Sequence, residues 1–195
     1  MAADGRIGSE LSRRLGAARA DFEKLRRVWQ HANLPVKRKA AIFDACVVAK
    51  LLYGLSSTCL TQVERRRLDG FHARCLRKVF RIAPSYYSRI SNQTVWKIAC
   101  SKPLSERILK TQCLYFGEVA ARTDDDPTRA AIFKPGSFEL KDLGGPRRRG
   151  RPRMEWGTHV QKYALHIAAD DAEELKRLLS LERCHWKSVV RKHFE

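Results

Sequence analysis

The sequence predicts an all-α fold, and three features carry that prediction. Apolar residues recur at three- and four-residue steps along most of the chain, no stretch alternates as a half-buried strand does, and no hairpin dipeptide joins two apolar runs. A chain of 195 residues can bury a sizeable core, as one domain or two small ones. The expected organisation is a helical bundle over 1–82, a further helical region over 83–126, an irregular basic linker over 127–153 and a helical tail over 154–195.

The first helix is expected from Leu11, Leu15, Ala18, Phe22, Leu25 and Trp29, which form one apolar stripe. Arg13, Arg14, Arg19, Lys24, Arg26 and Arg27 fill its other faces. Pro35 suits the first turn of a second helix, where its missing N–H would be unpaired anyway. That helix should turn Ile42, Phe43, Cys46, Val47 and Leu51 inward and stop near Gly54. A third, from about Gln62 to Ile82, should bury Leu68, Phe71, Cys75, Leu76 and Val79. Ser91 or Asn92 can cap a short helix through Cys100. A longer helix follows Pro103, with Ile108, Leu109, Tyr115, Phe116 and Val119 at helical spacing. Asp124 to Leu143 holds Pro127, Pro135 and Gly136 and lacks periodicity, so it is expected to be a linker. After Trp156 helical character returns, with Asp171 and Glu174 spaced as a capping box.

Thirty-nine Lys and Arg against 21 Asp and Glu give a net charge of +18. Such a surface attracts polyanions, through release of their counterions. No apolar run approaches the roughly 18 residues of a membrane span, and the N-terminus is no signal peptide. The expectation is an intracellular protein with nucleic acid as partner, no membrane and no small-molecule substrate. Two basic features stand out. Arg67, Arg74, Lys78 and Arg81 fall within about 60° on the wheel of the third helix, a stripe that could follow a phosphate backbone. The alternative for that stripe is a solvated basic face. The second feature is "RRRGRPR", which puts Arg147, Arg148, Arg149, Arg151 and Arg153 within seven positions.

Six cysteines, at 46, 59, 75, 100, 113 and 184, include no C-x-x-C pair. A structural zinc site brings close ligand pairs from tight turns. His72 with Cys75, and Cys184 with His185, each lack a second pair. The thiols are therefore expected mostly as small buried hydrophobes, with no metal and no cofactor.

An ordered series of segments resembles the C-terminal portion of a non-LTR (LINE-type) retrotransposon reverse transcriptase. The series runs "ADGRIGSELSRRLGAARADFEKLRRVW", "LLYG", "RRLDGFHARCLRKVFRI", "SNQTVWK", "PLSERILKTQCLYFGEVAARTDDDP" and "RRRGRPRMEW". The resemblance implies that the first three belong to the helical thumb and the rest to the region beyond it. It also implies that the palm carboxylates of the polymerase, which hold two Mg²⁺ ions, would lie upstream of Met1. The acidic cluster Asp124 to Asp126 lacks the aromatic residue and strand context of such a site and reads as a solvated turn. Neither common form of the family's DNA-nicking domain is visible. The Cys-Cys-His-Cys knuckle of some members is absent, and Gly117-Glu118-Val119 stands where "GHV" is common. The resemblance thus implies a nucleic-acid-binding fragment, without catalysis of its own, for RNA, DNA or a hybrid. Thumb and linker cations (Arg67, Arg74, Lys78, Arg81, and Arg147 to Arg153) are the candidate contacts.

Two alternatives remain open. "RGRP" is also the core of an AT-hook, in which Arg side chains enter a narrow A·T minor groove. The arginine run would then serve a free-standing DNA-binding protein, or be only a basic linker or nuclear-import run. The chain could also be the non-functional remnant of a decayed element.

Overall fold

The computed structural model describes residues 7–30, 33–141, 155–181 and 183–195. The described residues are all-α: helices and turns account for the regular structure, and Phe133 and Leu140 make a single antiparallel bridge without extending into a strand. No described helix is long and apolar enough to cross a membrane. The chain divides into two compact units, Met1–Ile108 and Leu109–Glu195.

In the first unit, α1 (Gly8–Lys24) buries Leu11, Leu15, Ala18 and Phe22. The expected continuous stripe breaks at Leu25, and α2 (Arg26–Gln30) resumes beyond it. Trp29 is still buried. Its ring stacks on Phe22 with centroids 5.3 Å apart, and its indole N–H donates to the Phe22 carbonyl at 2.9 Å. A buried lysine, Lys39, donates to the Trp29 carbonyl and so satisfies an otherwise orphaned acceptor at the end of α2.

The second predicted helix is α3 (Val36–Phe43), a π-turn (Asp44–Val48) and α4 (Ala49–Leu52) in succession. The π-turn corrects one expectation. An extra residue per turn rotates the face that follows, so Val47 and Val48 both point inward and Cys46 is exposed. Gly54, at φ 69°, lets the chain reverse after α4.

Helix α5 (Gln62–Phe80) opens on a capping box. The Thr61 hydroxyl accepts from the Glu64 N–H, and the Glu64 carboxylate accepts from the Thr61 N–H. Leu68, Phe71, Cys75, Leu76 and Val79 are buried as expected. Short α6 (Ser85–Ser88) and α7 (Asn92–Ile98) follow, the latter capped by Ser91. Helix α8 (Leu104–Ala120) begins in this unit, with its second residue held by α5: Asp69 accepts from the Ser105 N–H at 2.9 Å and its hydroxyl at 2.6 Å.

The second unit contains the rest of α8, then α9 (Pro127–Ile132), α10 (Trp156–Ile167), α11 (Ala172–Ser180) and α12 (Arg183–His193). Within the expected irregular linker, 127–132 is helical and Phe133 bridges Leu140 across turns and bends, while 142–153 falls outside the described residues. Asp126 caps α9, Phe133 is 1 % exposed and packs on Phe116, and Arg129 is buried against the rings of Phe133 and Phe138. Periodicity was too short to reveal this, because one six-residue helix and one bridge do the packing. Trp186 fills the core from α12 and donates to the Cys113 carbonyl at 2.8 Å. Gly117 makes room for it: a Cβ there would meet the indole at 2.0 Å. The capping box expected at Asp171 is only half formed. Asp171 accepts from the Glu173 N–H, while the Glu174 carboxylate pairs with Arg177 at 2.7 Å.

Candidate nucleic-acid interface

The four stripe residues Arg67, Arg74, Lys78 and Arg81 are all exposed along α5. What they face is legible only in three dimensions. Arg67 donates to the Ser12 hydroxyl at 3.0 Å, and Lys78 pairs with Glu23 at 2.7 Å. Both contacts join residues 55 apart in the chain. A constant offset over eleven positions means that α1 and α5 run parallel and in register. Farther along, Arg81 donates to the Gln30 carbonyl at 2.6 Å, which extends the seam onto α2.

The same offset places Arg19 of α1 opposite Arg74 of α5, midway between the two pinned ends. The buried Cys75 thiol confirms the neighbourhood: Lys78, Arg74, Glu23 and Arg19 all act on it electrostatically. Burial dominates and pushes that thiol up to about 12. Arg19 and Arg74 have no hydrogen-bond or ion-pair partner among the described residues. From the Arg67–Ser12 contact onward the seam therefore carries Arg19, Arg26, Arg67, Arg74, Lys78 and Arg81 against one carboxylate among the described residues, Glu23, with Glu64 beside Gly8 at its start. Hydrogen bonding from Lys78 holds that carboxylate below its usual range, with Arg26 adding to the effect. Beyond the Lys78–Glu23 pair the seam opens into a groove of about 460 Å³. Phe22 and Trp29 line it, with Arg26, Lys78 and Arg81. Lys78 also sits over the Phe22 ring, 5.7 Å from its centroid.

Reading the sequence missed two members of this surface and one support. Arg19 and Arg26 were visible as cations of the first helix, but their placement against α5 depends on the length of the α3–α4 excursion. Arg77 was passed over although it lies on the apolar side of α5. It is 6 % exposed, and its guanidinium donates to the carbonyls of Ala83 and Ile90 and to Asn92 Oδ1, at 3.2, 2.7 and 3.0 Å. One buried arginine thus fixes the chain that follows α5.

The acidic turn is occupied by the protein itself. Asp126 accepts from the N–H groups of Thr128 and Arg129, and Asp124 accepts from the Arg129 guanidinium and the Gly136 N–H. The guanidinium hydrogen bond, with the Gly136 N–H behind it, keeps Asp124 below its ordinary pKa. Arg147, Arg148, Arg149, Arg151 and Arg153 lie outside the described residues. Of the cysteines, Cys75 and Cys113 are buried, Cys59 is half-buried, and Cys46, Cys100 and Cys184 are exposed, so burial is not the general rule expected. No group of three or more His, Cys, Asp or Glu side chains able to hold a metal occurs among the described residues. Compared with family models, curated proteins and solved structures, the chain matches none.

Proposed function

We propose that this chain binds nucleic acid along the α1–α5 seam, in the manner of a polymerase thumb, and performs no chemistry of its own. The observation that carries the reading is the Arg19–Arg74 pair: two exposed like charges in register, with no carboxylate between them. Like charges brought together by folding are unfavourable unless a counter-ion joins them, and a chain of phosphates supplies counter-ions at regular spacing. The ordered segments that resemble a non-LTR reverse transcriptase support a retrotransposon origin, in which a thumb grips RNA, DNA or their hybrid. An intracellular, nuclear setting accords with that origin.

The test is the salt dependence of binding to duplex DNA, single-stranded RNA and an RNA–DNA hybrid. Replacing Arg67, Arg74, Lys78 and Arg81 together by Gln should flatten the slope of log K against log salt by roughly 2–3 units, at about 0.7–0.9 for each of the three arginines, since Lys78 already faces Glu23. Sequence should matter little, since phosphate contacts position without specifying. A quadruple variant that binds all three as the parent does, at every salt concentration, overturns the seam. The non-catalytic half has its own check: the purified chain should extend no primer with Mg²⁺ or Mn²⁺. Template-dependent extension that survives repurification would refute it.

A further inference from the structure

The turn between α5 and α7 displays two tyrosines that no packing explains. Helix α6 has no buried residue. Tyr86 and Tyr87 are 66 % and 74 % exposed, with ring centroids 4.2 Å apart and planes tilted by 42°. Neither hydroxyl makes a hydrogen bond among the described residues. The rings are adjacent but not face to face, so each keeps an open face.

The turn that presents them is held firmly. Arg77 binds the carbonyls of Ala83 and Ile90 on either side of α6, and the Ser88 hydroxyl donates to Ala83 or Pro84 while accepting from the Ile90 N–H. Ile82 and Ile90 pack against the core on the two flanks. A tyrosine has only two side-chain torsions, so little freedom is lost when such a ring is covered. The residue after α6 is Arg89, exposed and at φ 56°, in the left-handed region where glycine is the usual choice. Arg81, the last cation of the seam, is five residues before Tyr86, hence at most about 17 Å away along the chain.

We infer that Tyr86 and Tyr87 form a stacking platform for unpaired nucleobases, taking up single-stranded nucleic acid at the end of the seam. The inference rests on the nucleic-acid reading above and assigns a division of labour within it. Phosphates are gripped by the seam, and bases that leave the duplex, or have not entered it, stack on the tyrosines. Aromatic faces accept any base, so the platform adds affinity without strong sequence preference. Flanking charge favours this occupant over an apolar protein surface: Arg89 adjoins the pair and Lys97 is exposed on α7.

The experiment compares the parent with Tyr86→Ala/Tyr87→Ala and Tyr86→Phe/Tyr87→Phe. The ligands are a single-stranded RNA, a single-stranded DNA and a blunt DNA duplex, at one salt concentration and across a salt series. The alanine variant should lose about tenfold or more in single-strand affinity, with duplex affinity and the salt slopes unchanged. The phenylalanine variant should retain single-strand affinity, because stacking uses the ring and not the hydroxyl. If the parent binds single strands and the alanine variant binds them equally well, the platform is wrong and the seam stands. Equal loss on single strands and duplex also overturns it, by showing a general surface change. If the parent binds none of the three at low salt, both the nucleic-acid reading and the platform fall.

Discussion

The two units differ most in how far basic residues outnumber acidic ones. Residues 1–108 carry 22 Lys and Arg against 8 Asp and Glu, whereas residues 109–195 carry 17 against 13. The second unit has the conspicuous arginine run, yet most of the excess belongs to the first. In the second unit five cations have local partners, Arg122 with Asp126, Arg129 with Asp124, Lys134 with Glu139, Lys176 with Glu173 and Arg177 with Glu174, while Lys110, Lys162, Lys187, Arg191 and Lys192 have none among the described residues. In the first, Arg19 and Arg74 have none among the described residues. The interiors differ in the same sense. The second unit's core indole, Trp186, donates to a carbonyl. The buried side-chain atoms left without a partner among the described residues, both nitrogens of His72 and the Trp96 indole nitrogen, all belong to the first unit. Local rules are broken where a structure serves something besides its own stability. Net charge therefore points to a partner, while unpaired cations set in register on adjacent helices point to the place.

The largest effect should come from the first unit's core. Phe71 is 3 % exposed on the inner face of α5. Phe71→Ala removes an aromatic ring from a packed site and should cost about 3–5 kcal/mol, enough to unfold a marginal domain. Thermal or urea melting checks it. A variant melting within a degree or two of the parent would mean that α5 does not organise this unit.

Next in size is a pH effect from His72, which is fully buried and lies against Phe43 at 5.9 Å, the rings nearly parallel. Burial lowers its pKa to about 4, outweighing the opposite pull of Asp44. In the unfolded chain the same imidazole takes a proton near 6.5. Between these values the unfolded state binds more protons, so stability rises with pH through this window and is fully present above it. Falling from about pH 6.5 to 4 should cost about 3 kcal/mol through this one group. His72→Phe keeps the stacking partner and removes two unpaired nitrogens. It should stabilise the chain at neutral pH and flatten this part of the profile. An unchanged slope between pH 4 and 6.5 would show that the imidazole finds a partner in solution.

The second unit offers the matching test of a core without slack. Gly117→Ala replaces a poor helix former by the best one, a gain of about 1 kcal/mol by propensity alone. Overpacking against the Trp186 ring should outweigh it, for a net loss of about 1–2 kcal/mol. Quenching or a shift of tryptophan emission should accompany the loss. A more stable variant would mean that α12 yields easily.

These sites also show what could be read in advance. The stripes of α1 and α5 are long and strongly periodic, so Leu11, Leu15, Phe22, Leu68, Phe71 and Val79 were identifiable from spacing alone. The π-turn at Asp44–Val48 was not, because its signature is a change of phase over five residues. The packing of 127–140 was not, because Phe133 and Arg129 are recruited singly and without period. The stripe Arg67–Arg74–Lys78–Arg81 was visible as one face of one helix. Its completion by Arg19 and Arg26 requires knowing that α1 and α5 are parallel with a fixed offset, and no single-helix pattern encodes that. Tyr86 and Tyr87 were passed over because an aromatic pair is a core signal until its exposure is known.

The smallest effect decides the comparison itself. Arg19→Gln with Arg74→Gln removes two cations without a partner among the described residues, so nothing in the fold should be lost and two phosphate contacts should go. The slope of log K against log salt should flatten by about 1.4–1.8 units. Arg122→Gln with Arg177→Gln removes the same charge from the second unit. Those guanidinium groups already face Asp126 and Glu174, and a phosphate would have to displace a carboxylate to reach them. Their slope should stay that of the parent, although the net charge of the two variants is identical. A third variant, Arg151→Ala, examines the arginine run. An AT-hook predicts that it alone abolishes preference for A·T-rich over G·C-rich duplex, while the seam predicts no such preference in the parent. Equal flattening by the first two variants would show that the chain binds through its overall field, and the distinction between paired and unpaired cations would then have no functional meaning.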